Sequence, residues 1–179
     1  VTVTASNLIQ GPATLYCAPF GTAEPATASV APGVGWVDLG GTKDGVELGI
    51  ADEYAVLSVD QVVYEIDRRR TARVVTIKTS LAEATLENWA RAINNTAPTA
   101  GELIADDGLA AFKPSHLAYM LDGIAPGGFA RRFILRKALS TDSVASAYKK
   151  DDQTLIPVTF TGHWVSASVR PFRLLDATS

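Results

Sequence analysis

The chain is poor in the side chains that do chemistry. Among its 179 residues there is one cysteine, Cys17, and there are two histidines, His116 and His163. A single thiol excludes an internal disulfide framework, which fits a reducing compartment. Each histidine flanks or sits in a predicted strand, where a structural role is the commoner one. HExxH, CxxC and GxSxG do not occur, so the motifs of zinc peptidases, thiol oxidoreductases and serine hydrolases are missing. Gly33 and Gly35 make a GxG without a third glycine or a following helix, which reads as a turn rather than a phosphate cradle. The paired carboxylates of "ADD" (105–107) and "KKDD" (149–152) lack further metal ligands around them and read as solvated turns. Asn94-Asn95-Thr96 fits a glycosylation pattern with nothing else pointing to secretion. No apolar run approaches the ~20 residues of a membrane span, and no charged-then-apolar signal segment opens the sequence. Because it begins at Val1, amino-terminal trimming is expected. The net charge of −3 argues against sequence-independent nucleic-acid binding, which needs clustered Lys and Arg. No enzyme, cofactor or metal site is therefore expected.

What the chain does have is a globular balance, 47% hydrophobic and 20% charged, enough for one domain with a real core. Residues 1–34 are rich in Ala, Thr, Gly and Pro and read as a flexible arm with one short strand at Leu15 to Ala18. The domain proper is expected over 35–179. "GWVDLGG" (35–41) reads as a short strand, and "TKDGVELGIADE" (42–53) as a polar loop with a Lys-Asp-Gly turn signal. "YAVLSVDQVVYEID" (54–67) is rich in β-branched and aromatic residues. Its apolar positions change from odd to even near Asp60, as a bulge would make them. "RRRT" (68–71) turns the chain, and "ARVVTIKT" (72–79) returns. A helix is predicted over 81–93, capped by Ser80 and Glu83, with Ala82, Leu86, Trp89 and Ile93 on its packing face and Glu87 paired to Arg91 outside. Residues 96–115 read as a loop. Strands follow at 116–124, 128–140, 143–149 (paired with the 149–164 stretch) and 170–176.

"KKDDQTLIPVTFTGHW" (149–164) is another strand. Ile156, Val158, Phe160 and Trp164 alternate onto one face. Pro157 has no N–H for a ladder, which places it at an edge or a bulge. Eight or so strands and one strong helix make a mainly β, antiparallel fold with a flanking helix. Arg68, Arg69 and Arg70 read as a solvated hairpin end that blunts aggregation. Glu65, Asp67, Arg73 and Lys78 are placed for cross-strand pairs. Arg131, Arg132, Arg136 and Lys137 stud a strand, so one of its faces is expected to meet water or a polar partner.

"GWVDLGGTKDGVELGI", the long strand pair, "SLAEATLENWARAIN", "YKKDDQTLIPVTFTGHW" and the closing "RPFRLLD" together resemble the major tail protein of long, non-contractile-tailed phages, especially of the actinobacteriophage type. The order of these blocks matches over about residues 34–176, without an appended immunoglobulin-like domain. The resemblance implies a structural virion protein with two packed antiparallel sheets, a tail-tube-like sandwich or barrel. Subunits would form stacked hexameric rings around a lumen through which phage DNA passes without sequence-specific binding. Partners would be further copies of the chain, the tape-measure protein and tail-end proteins, with no membrane and no cofactor. The location would be the virion tail, assembled in the bacterial host cytoplasm. By position, 40–53 resembles the ring-stacking loop, ordered on assembly, with Lys43, Asp44, Glu47, Asp52 and Glu53 as its contacts. Glu65 and Asp67 are candidates for an acidic lumen face. The inner tube of a contractile injection system is the alternative reading. A ligand-binding barrel or enzyme built around Trp36, Tyr64 and Trp164 is a third.

Overall fold

Strands alternate their side chains between two faces, and here both faces are apolar where the sheet is central. The structure, a computed structural model, describes residues 11–124 and 130–177; residues 1–10 of the expected arm lie outside them. In chain order the elements are β1 (Ala13–Pro19), β2 (Val37–Asp38), β3 (Thr42–Leu57), β4 (Asp67–Leu81), α1 (Leu86–Ala92), α2 (Gly108–Phe112), β5 (Leu117–Ile124), β6 (Ala130–Ser140), β7 (Ile156–Gly162) and β8 (Phe172–Asp176). The protein is mainly β, as its composition of strands predicts. All pairings are antiparallel, in the order β2-β1-β5-β6-β7-β4-β3 with β8 beside β6.

The two separate sheets of the resemblance are in this chain one continuous sheet. β6 is the reason. Its Arg131–Leu135 stretch pairs with β8 and its Ala138–Ser140 stretch with β7, so a three-residue seam joins the halves. Gly162 lets the strands pack closely at the seam, since a Cβ there would lie 2.6 Å from Leu135 Cδ1 and push that side chain aside. Odd-numbered Leu15, Cys17, Tyr119, Phe133 and Leu135 join Ile77, Ile156, Val158 and Phe160 in the larger core. Tyr119 stacks on Phe160 with ring centroids 3.8 Å apart. Even-numbered Ala18, Ala118, Met120 and Ile134 form a second core with Trp36 on the other face.

From Ala13 on, the expected arm is not an arm. β1 lies between β2 and β5, and Leu15 is fully buried. The segment 20–36 folds over the second core. Trp36 Nε1–H donates to the Ala23 carbonyl at 3.0 Å. Arg132 and Arg136 of β6 supply the clamps. Arg132, 3% exposed, donates to both Asp122 oxygens at 2.6 and 2.7 Å and to the carbonyls of Thr27 and Val30 at 3.1 and 2.7 Å. Arg136 grips Glu24 with two donors. The polar partner expected for that charged face is therefore largely the chain itself.

Helix α1 corrects the prediction over 81–93. β4 continues to Leu81, so Ser80 is a strand residue and not a cap. The cap is Thr85, whose hydroxyl accepts from the Asn88 N–H. The buried side chains are Asn88, Ala90 and Ala92, with Trp89 half-buried against the larger core, whereas Leu86 and Ile93 are exposed. Ala82 precedes the helix and donates its N–H to the Gly41 carbonyl at 2.8 Å. Arg91 donates to Asn88 Oδ1 in place of the expected Glu87 pair. Residues 143–149 form no strand. Pro157 meets its expectation: Ile156–Thr161 of β7 pairs with β4, but only Phe160–Gly162 has β6 on the other side. The proline thus sits where β7 has a single strand neighbour.

Candidate assembly surface

Residues 40–53, expected as a flexible loop, are mostly strand. β3 begins at Thr42 and runs sixteen residues. The Asp-Gly signal is real but acts inside the strand. Asp44 and Gly45 have φ of 65° and 81°, and the register slips between Lys43 and Val46. That is a bulge, held by Thr79 Oγ1 donating to the Gly45 carbonyl at 2.8 Å. A second slip lies at Glu53/Tyr54, not at Asp60. The odd-to-even change near Asp60 is the chain reversal itself, between Leu57 and Asp67. Arg68, Arg69 and Arg70 therefore belong to β4, opposite Val56, Ala55 and Tyr54.

The result is a two-stranded ribbon. β7 covers β4 only up to the Thr76–Thr161 pair, so beyond that point β3 and β4 have only each other. Eight further residues of β3, Ile50 to Leu57, project, roughly 27 Å at the usual strand rise. Among the described residues the outer edge of β3 has no strand partner anywhere along its length. Apolar side chains crowd this ribbon: Ile50, Tyr54, Val56, Leu57, Val62, Tyr64 and Ile66 are all about half exposed or more, and Val63 reaches 98%.

Charge on the ribbon is locally neutralised. Arg73 donates to both oxygens of the facing Asp52 at 2.6 Å, Arg70 to one of them at 3.3 Å, and the Tyr54 hydroxyl to the same oxygen at 3.2 Å. These bonds, the Arg73 pair foremost, hold the Asp52 carboxyl well below the usual carboxylate range. Glu65 accepts two bonds from Arg68 at 2.7 and 3.0 Å, and that contact lowers its carboxyl too. Asp67 accepts from the Arg68 N–H at 2.7 Å. The residues foreseen for ring contact thus separate. Asp52 becomes a hub on the ribbon, and Glu53 faces Ala72 beside it. Glu47 faces Lys78 nearer the base, and Lys43 leaves the ribbon to pair with Asp152 at 3.3 Å. Glu65 and Asp67 are at the far end. Arg70 and the apolar ribbon residues were missed as site residues, although the long β-rich stretch 54–67 carried the signal.

The aromatics of the third reading do not surround a pocket. Trp36 is buried under the 20–36 segment, while Tyr64 and Trp164 are 81% and 69% exposed. A cleft of about 530 Å³ lies elsewhere, between α1 and the ends of β1 and β5, lined by Cys17, Ala90, Arg91, Asn94, Asp106 and Lys113 among others. Burial pushes the Cys17 thiol up, which is unfavourable for a nucleophile. Among the described residues no three His, Cys, Asp or Glu side chains are placed to hold a metal ion, and no helix is long and apolar enough to cross a membrane. No protein-family model matches the chain, and no curated protein matches it either.

Proposed function

We propose that the chain is the major tail tube subunit of a long, non-contractile-tailed phage, assembling into stacked hexameric rings around a DNA-conducting lumen. The observation that carries this reading is the β3–β4 ribbon: a long, ordered, edge-open arm with apolar side chains standing in solvent. A lone two-stranded ribbon is marginally stable in water, and an exposed apolar sheet edge is an aggregation hazard. Both costs disappear if neighbouring subunits cover the ribbon and continue the sheet, and a closed ring leaves no edge open. The paired Asp52–Arg73–Arg70 network supports the same reading, since it lets a second surface approach without stranding a buried charge. Six-fold rings or tubes of the concentrated, purified protein in electron micrographs are the expected result. A species that stays monomeric at every concentration, and adds to no preformed tail end, would sink the proposal.

A further inference from the structure

His116 stands just before β5, and its carbonyl accepts the Phe20 N–H at 3.3 Å. His163 follows β7, and its N–H donates to the Lys137 carbonyl at 2.8 Å. The two imidazoles meet edge-to-face with centroids 5.5 Å apart. Lys137 in turn places its Nζ over the Phe20 ring, 5.7 Å from the centroid. Four chain segments therefore meet in one cluster: the exit of β1, the entry of β5, the middle of β6 and the exit of β7. The cluster also anchors the first residue of the 20–36 segment that covers Trp36 and the second core.

We propose that the His116–His163 pair is an acid-sensitive latch that holds the root of the 20–36 segment on the sheet and releases it on proton uptake. While neutral, the rings pack edge to face, 86° apart. His163 Nε2 is buried with no hydrogen-bond partner among the described residues, so none of them is positioned to accept a proton's hydrogen bond there. The charged or titratable groups acting on His116 come from every side: Lys137 of β6, His163 after β7 and Lys113 after α2. The two lysines are cationic, and a like charge disfavours ionisation. Burial first, then these neighbours, hold His116 below the ordinary histidine value. Further along the segment, Glu24 keeps its charge in mild acid, because the Arg136 contact lowers its carboxyl. Release is therefore local: the root at Phe20 opens while the Glu24 clamp stays shut.

The test is an NMR titration of the full chain from pH 7.5 to 5.0, with amide exchange corrected for its intrinsic pH dependence. The His116 ring is expected to protonate below the ordinary value of about 6.5, and Phe20 amide protection to fall at least ~10-fold with it while Ile134 stays protected. Constant Phe20 protection, or His116 titrating at or above that value, overturns the latch. In the double variant His116→Phe, His163→Phe the loss of protection should vanish. A loss of full size in that variant also overturns it, and if the variant fails to fold the wild-type titration decides alone.

Discussion

Arg132 shows how much one side chain carries in this fold. Its guanidinium is buried, it faces Asp122 with a two-pronged fork, and its remaining donors reach two carbonyls of the 20–36 segment. Truncating one partner of such a pair strands the other, at about 3–5 kcal/mol. Arg132→Ala should destabilise by that order in a denaturant melt. Arg132→Lys should rescue little, since an ammonium cannot reproduce the fork. A melt for the lysine variant that overlays the wild type would show the geometry to be unimportant. Glu24 carries a pH dependence of the same sign as that of His116, since both groups are depressed in the folded state, but in a more acidic range. Its carboxyl is depressed in the folded state, first by the Arg136 hydrogen bond, so the folded protein binds fewer protons than the unfolded chain. Its contribution is present above the unfolded value of about 4.3 and is lost as pH falls below it. Glu24→Gln should lower stability at neutral pH and make the acid limb of the stability curve shallower. An acid limb as steep as the wild type's would assign that limb to other carboxylates.

At the scale of elements, α1 shows which signals a sequence transmits and which it hides. Periodicity pointed to a helix with Leu86 and Ile93 inward. The buried polar residue, however, is Asn88, whose amide donates to the carbonyls of Leu39 and Glu83 at 3.0 and 2.9 Å and whose Oδ1 accepts from Arg91. It ties the helix to the turn after β2. Asn88→Leu should cost about 2–3 kcal/mol, because buried acceptors lose their donor, whereas Leu86→Ala should stay within about 1 kcal/mol. The reverse order in melts would restore the periodic reading. The same lesson holds elsewhere. β5, β6, β7 and β8 were all legible as strands, β7 from the alternation that its half-buried face imposes. The β3–β4 ribbon was legible as β-rich but not in its register, because both of its faces are exposed and nothing in one chain tells a reversal at Asp60 from a bulge. Lys-Asp-Gly was correctly a site of positive φ, yet tertiary pairing with Thr79 made it a bulge instead of a turn. β1 was legible as a short strand at Leu15 to Ala18, but its place inside the sheet was not, because its burial comes from β5, about a hundred residues away, and not from its own Gly- and Pro-rich neighbourhood. Among the foreseen contact residues, Asp52 was placed by its register opposite Arg73, while Lys43 found Asp152 through long-range folding that no local pattern encodes.

For the whole molecule, the decisive question is whether the ribbon serves the fold or the assembly. Both cores lie on the β1, β4–β7 part of the sheet, and β4 contributes to them only through Val75, Ile77 and Leu81 near its carboxy-terminal end. The distal ribbon adds strand hydrogen bonds and exposed ion pairs, and exposed pairs are worth at most about 1 kcal/mol each. Removing it should therefore leave the monomer nearly intact. Replacing residues 53–72 by Asn-Gly joins the facing pair Asp52 and Arg73 through a two-residue loop, the favoured form for a hairpin. The shortened chain should melt within a few degrees of the parent, with an unchanged circular dichroism shape apart from the lost strand. It should also lose the apolar arm and most of the open edge that the proposed assembly depends on, so electron micrographs should show neither rings nor tubes. Tubes of normal diameter and length from the shortened chain would move the assembly contacts off the ribbon. A shortened chain that cannot fold would place the ribbon in the fold's own stability, and its exposed apolar residues would then need another explanation.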